Sequence, residues 1–167
     1  LNTNVKHSLA SSAYNTRRQE CEQAVAWVNE HHPQVHSLRD VTLAMLDEHV
    51  APKNMLIDQR ARFVVQEIER LHTACQLLQT GNLEGLGRKM FETHHGLSAK
   101  YEVSCAELDY LVQQVVGEPA VLGARMMGGG FGGCTINIVQ ADAIDTLVDR
   151  LQPAYEKQFG LPLSWYV

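Results

Sequence analysis

Five amphipathic helices, then strand, glycine-rich loop, strand, helix and closing strand: this order predicts an α+β fold. A small sheet would be covered by helices on one face, giving a two-layer sandwich. Three observations carry the prediction. Apolar residues recur at helical spacing in successive windows up to Val115. The flanks Ala120–Met127 and Cys134–Val139 then switch to apolar and β-branched runs, which suit two short strands. Between them lies Gly128-Gly129-Gly130-Phe131-Gly132-Gly133, with five glycines in six positions. Such a cluster costs backbone entropy and offers positive φ and close approach of a backbone or ligand.

Taken in order, Leu1–Val5 reads as the end of a strand. Ser8, Ser11 and Ser12 are plausible N-caps for a helix reaching about His31. Its apolar face is Tyr14, Cys21, Val25 and Val28, and Arg18 shares the Tyr14 side. His31-His32-Pro33 ends it; the two histidines read as an exposed helix end rather than metal ligands. Ser37-Leu38-Arg39-Asp40 opens a short helix to about His49, with Leu43, Leu46 and Val50 inward and Pro52 after it. Asp58–Thr80 is a long helix facing inward through Val64, Ile68, Leu71, Cys75 and Leu78, and stopped by Gly81. Arg60, Arg62, Glu67, Glu69 and Arg70 read as its solvated face.

Asn82 caps a further helix with Leu83, Leu86, Met90, His94 and Leu97 on one side; Gly85, Gly87 and Gly96 weigh against it on propensity. His94 reads as a satisfied core histidine. Ser104 and Glu107 have capping-box spacing before Leu108, Leu111, Val112 and Val115. After the two strands, Asp142 opens a last helix with Ile144, Leu147, Val148, Leu151 and Tyr155 inward. Gly160 and Pro162 end it, and Leu163–Val167 closes as a strand.

At 167 residues the chain suits a single domain, 1–167. Its net charge of −5 argues against a nucleic-acid or acidic-membrane surface. No apolar run approaches the ~20 residues of a membrane helix. Cys21, Cys75, Cys105 and Cys134 show no zinc spacing; three lie on apolar faces as small buried hydrophobes, and a reduced, cytoplasmic setting is the simpler reading. The chain opens at Leu1 without methionine, as though it were part of a longer polypeptide.

Gly128, Gly130 and Gly133 match G-x-G-x-x-G, but Thr135-Ile136-Asn137-Ile138-Val139 follows as a strand, where a dinucleotide site needs a helix. No Walker loop is present. On the residues alone the loop is either a functional surface or a hairpin without ligand. Tyr14 is either a ligand group or a half-buried aromatic with its hydroxyl in water.

Asn2–Asn15 with Arg17-Arg18-Gln19-Glu20-Cys21 resembles the middle of galactokinases. Tyr101–Asp109 resembles the galactokinase stretch upstream of the third motif, and Gly123–Thr135 looks like that third motif of the GHMP kinases. The resemblance covers essentially the whole chain and implies a ferredoxin-like, helix-rich C-terminal domain. The sugar-binding signature, the serine-rich phosphate loop and the catalytic aspartate and arginine belong to an N-terminal ATP-binding domain not present in this chain, so no catalytic residue is expected within it.

By the same resemblance, Tyr14 is expected to donate to a galactose hydroxyl, and Gly128, Gly129, Gly130, Phe131, Gly132 and Gly133 to line the active-site cleft. Ser8 and Ser11 are nucleotide-side candidates. Met127 stands where threonine is usual. The implied reaction is phosphorylation of the C1 hydroxyl of galactose by ATP with Mg²⁺, a step of galactose metabolism. It requires the chain's own N-terminal domain, and the fragment alone is expected to be inactive. A non-catalytic galactose and ATP sensor that binds a regulatory protein, and another GHMP sugar kinase, are the alternatives.

Overall fold

The computed structural model describes residues 1–5 and 10–167, the first three of the latter by backbone alone. Helix α1 spans Ala10–Asn29, α2 Leu43–His49 and α3 Met55–Gln79. Together with the connecting segment they enclose one core, in which Ala24, Val28, Val35, Leu46, Val50 and Ala61 are buried. Helix α2 starts later than Ser37. The Asp40 carboxylate accepts the amides of His36 and Ser37 (3.0 and 2.9 Å), which folds that segment into a turn. Thr42 caps the helix instead, through Met45 N. Helix α3 starts earlier than Asp58, because Asn54 Oδ1 accepts from Leu56 and Ile57.

The expected inward row on α3 holds only in part. Val64 and Ile68 are half-buried, while Leu71, Cys75 and Leu78 are exposed. Full burial is confined to Arg60, Ala61 and Phe63, in the first half of the helix. Arg60 thus corrects the reading of a solvated charged face: it is 4% exposed and its charge is met by carboxylates. The cysteines are also less buried than expected. All four are free, with Cys75 exposed and the others half-buried.

Helix α4, Leu83–Ala99, is capped by Asn82, whose Oδ1 accepts from Gly85 N at 2.8 Å. Its buried side includes Gly85, Gly87 and Gly96. A Cβ on Gly87 would lie 1.8 Å from the Leu122 carbonyl oxygen, and one on Gly96 would lie 2.2 Å from the Phe63 ring. The residues that weaken the helix by propensity are those that let it approach its neighbours. Helix α5 is Ala106–Gln113. The capping box does not form: Cys105 is the N-cap without a side-chain bond, and Ser104 Oγ donates to Asp109 Oδ1 at 2.5 Å. The Ser104 hydroxyl is oriented by the carboxylate it donates to, so its oxygen does not cap the helix amides.

Strands β1, Val121–Met127, and β2, Cys134–Val139, pair antiparallel with Met127 opposite Cys134 and an irregularity between Val121 and Gly123. A 3₁₀ turn, Ala141–Ala143, leads into α6, Ile144–Phe159, which Gly160 ends in a left-handed conformation (φ 67°). Leu147, Leu151 and Tyr155 of α6 join Leu111, Val115 and Val121 in a second core beside the sheet.

The closing strand Leu163–Val167 does not form. Ser164 makes a single bridge to Asn2, and Trp165, Tyr166 and Val167 are exposed with no ladder partner among the described residues. Leu1–Thr3 extends the β2 edge through Thr135 N to Leu1 O (2.8 Å) and Thr3 N to Gly133 O (2.9 Å). The whole is the expected helix-rich α+β arrangement with a smaller sheet. No helix among the described residues is long and apolar enough to cross a membrane.

Candidate functional site

The hairpin loop between β1 and β2 uses its glycines. Gly128, Gly130, Gly132 and Gly133 all have positive φ (86°, 90°, 129° and 87°). Phe131 also takes φ 63°, a left-handed position that a bulky residue holds only when its surroundings impose it. The neighbouring 100–105 segment imposes it. Phe131 N donates to Val103 O at 2.5 Å, and the Phe131 ring packs beside Val103, Leu108 and Met126. Gly130 passes so close that a Cβ there would fall 2.1 Å from Val103 O.

Both ends of the loop are tied down by buried groups. On the β2 side, buried Thr3 donates Oγ1 to Gly133 O at 2.8 Å, and Tyr155 donates its hydroxyl to Thr3 O at 2.8 Å. Burial pushes the Tyr155 phenol up to about 12. On the β1 side, Met126 N donates to His94 Nδ1 at 3.1 Å, and His94 Nε2 lies 3.2 Å from Asp109 Oδ1. The Nδ1 lone pair must face the amide, so the proton sits on Nε2 and points at the carboxylate. Burial lowers the His94 pKa, with Asp109 acting in the opposite direction. Asp109 also accepts from Ser98 at 2.8 Å. His94 is the satisfied core histidine the sequence suggests.

Tyr14 approaches the same loop from α1. It is 56% exposed, and a Cβ on Gly129 would lie 3.7 Å from its ring. Tyr14, Arg17, Arg18, Tyr101, Gly128 and Gly129 line one open cavity of about 340 Å³. Arg17 donates to Tyr101 O (2.7 Å) and Glu102 O (3.2 Å), while exposed Arg18 pairs with Glu22 at 2.7 Å. Cys21, which also lines the cavity, has its Sγ 3.5 Å from the Tyr101 hydroxyl, and burial raises the pKa of both groups.

Tyr14 and the glycine loop are therefore brought together. Met127 lines a different, apolar groove with Cys134 and Ile136. Ser8 and the Ser11 side chain lie outside the described residues. The cavity residues Arg17 and Tyr101 were not foreseen. Arg17 lies three positions after Tyr14, but no periodicity marks a side chain that bonds to carbonyls so far along the chain. Among the described residues no three histidine, cysteine or acidic side chains are grouped to hold a metal ion.

The hairpin and its glycine loop lie within residues 74–157, which match the family model for the GHMP kinases C terminal. The chain belongs to that family. Galactokinases are among its relatives. It is 40% identical over 166 residues to the galactokinase of Exiguobacterium sibiricum, covering 99% of this chain and 42% of that protein. It is 42% identical over 154 residues to the galactokinase of Bos taurus, covering 92% and 38%. It superposes on the crystal structure of Lactococcus lactis galactokinase complexed with galactose with a TM-score of 0.90, at 33% identity, over 99% of this chain and 43% of that one. The chain spans about two-fifths of the length of these relatives.

Proposed function

We propose that these 167 residues are the C-terminal domain of a galactokinase, which transfers the γ-phosphoryl group of ATP to the C1 hydroxyl of galactose once joined to its own N-terminal domain. The observation that carries the reading is the seating of the Tyr14 ring against Gly129 in one open cavity. Two elements far apart in sequence, each expected on the substrate side, share a wall. The galactokinase relatives and the galactose complex of the Lactococcus lactis enzyme support the choice of sugar.

In this reading Tyr14 presents an aromatic face and a hydroxyl to the sugar. The loop carries one bulky side chain in six residues, so its backbone meets the substrates directly. Closing this wall on the N-terminal domain excludes water from the transfer. By the resemblance, Ser8 and Ser11 are candidates for the nucleotide side. When bound, ATP supplies the phosphoryl group and Mg²⁺ offsets its charge. By the resemblance to galactokinases, ATP and the ion are assigned mainly to the N-terminal domain. Four free cysteines fit a cytoplasmic setting.

The test is phosphorylation of galactose by the full-length polypeptide, followed by ³¹P resonance of the product. Galactose 1-phosphate formed at the expense of ATP is expected. A folded full-length protein that binds galactose and ATP without turnover would instead be a sensor, and one that turns over a different sugar alone would be another GHMP kinase.

A further inference from the structure

Arg17, Glu20, Arg60 and Glu102 form a closed ring of charges beneath the cavity. Glu20 Oε2 accepts from Arg60 at 2.7 Å and from Arg17 at 3.3 Å. Arg60 donates its second terminal nitrogen to Glu102 Oε2 at 2.6 Å. Arg17 closes the ring on the backbone, through Tyr101 O and Glu102 O. The ring joins three elements, α1, α3 and the segment between α4 and α5.

Three features show that the ring does more than fill charge. Glu102 is held at φ 54°, a left-handed position without a glycine to relieve it. The next carbonyl, Val103 O, accepts Phe131 N and abuts Gly130. Arg17 lies one helical turn from Tyr14, whose ring faces Gly129. The same charges therefore bear on both walls of the cavity: on Tyr14 through α1, and on the loop through Val103.

We propose that Arg60 and Glu102 are positioning residues for the glycine-rich loop: they fix the 101–103 segment, and through Val103 O they set the loop conformation against Tyr14. Arg60 does not line the cavity, so it acts through Glu102 and Glu20. The functional part of this inference rests on the galactokinase reading; the structural part does not.

The test uses the full-length protein with Glu102→Ala and Arg60→Met. Hydrogen exchange is read at peptides covering residues 128–133 and, as control, α6. Loss of the brace is expected to speed exchange in the loop by about tenfold or more while α6 is unchanged, and to raise the galactose KM more than it lowers kcat. Arg60→Lys, which keeps one cationic donor, restores part of the protection. Should Arg60→Met fail to fold, Glu102→Ala decides alone, since its side chain is half exposed. Loop exchange unchanged in a folded Glu102→Ala protein overturns the proposal. Faster loop exchange in a protein whose parent does not phosphorylate galactose leaves the brace standing and removes the galactokinase reading.

Discussion

His94 accepts the amide of Met126 at its Nδ1, 3.1 Å away, just before the hairpin loop begins. The bond exists only while the imidazole is neutral. Burial disfavours the cation in the folded state, so the folded pKa lies below the unfolded value of about 6.5. The unfolded chain then binds more protons as pH falls through 6.5, and stability declines in that direction.

The expected result is a urea midpoint that drops between about pH 7.5 and 5.5, less steeply in His94→Gln than in the parent. Equal slopes in the two proteins would show that His94 titrates alike in both states.

Tyr14→Phe in the full-length protein removes one hydroxyl and keeps the ring against Gly129. Loss of a single hydrogen bond, about 0.5–1.5 kcal/mol, corresponds to a rise in galactose KM of about 2- to 12-fold, with a smaller effect on kcat. An unchanged KM takes Tyr14 out of the sugar site.

Neighbouring glycines in the loop should respond differently to alanine. At Gly129 a Cβ meets nothing closer than the Tyr14 ring, at 3.7 Å. At Gly130 it meets Val103 O at 2.1 Å, and φ is 90°. Gly129→Ala is expected to leave thermal stability within about 1 kcal/mol, and Gly130→Ala to lower it by about 1–3 kcal/mol. Calorimetry on both variants tests the loop geometry independently of catalysis.

Gly87→Ala tests the seat of α4 on the sheet. The added methyl would lie 1.8 Å from Leu122 O, a backbone atom that cannot swing aside. A loss of about 3 kcal/mol or more is expected, with failure to fold as the extreme. A neutral substitution would mean that α4 and β1 can separate.

Residues 1–167 expressed alone are expected to show no galactose-dependent consumption of ATP, because the phosphate loop and catalytic carboxylate are assigned to the N-terminal domain. Measurable turnover by the purified fragment would place catalytic groups within it.

Much of the architecture is written locally. The β1 and β2 limits follow from short apolar runs, and Leu108, Leu111 and Val112 of α5 and Leu147, Val148, Leu151 and Tyr155 of α6 are buried as their spacing implies. What was hidden depended on contacts between distant segments. The second half of α3 carries the right period, yet Leu71 and Leu78 are exposed. Arg60 has the identity of a surface residue and the position of a core one, and only the arrival of Glu20 and Glu102 reconciles them. Residues 163–167 have strand composition but, among the described residues, no bridge partner other than Asn2.

The site divides the same way. The glycine run is conspicuous, and Tyr14 stands out through the resemblance to galactokinases. The bond from Phe131 to Val103 that shapes the loop spans 28 residues and leaves no trace in local pattern.

The contact of Gly87 with Gly123 sets a mechanical limit. Backbone touches backbone there, with Gly87 Cα 2.3 Å from where a Gly123 Cβ would stand. Side chains between two elements can rotate to allow sliding, but two main chains in register cannot. Helix α4 and the hairpin must then travel as one lever, carrying the glycine loop at its tip. Any displacement of the loop as a whole has to bend the molecule away from this contact.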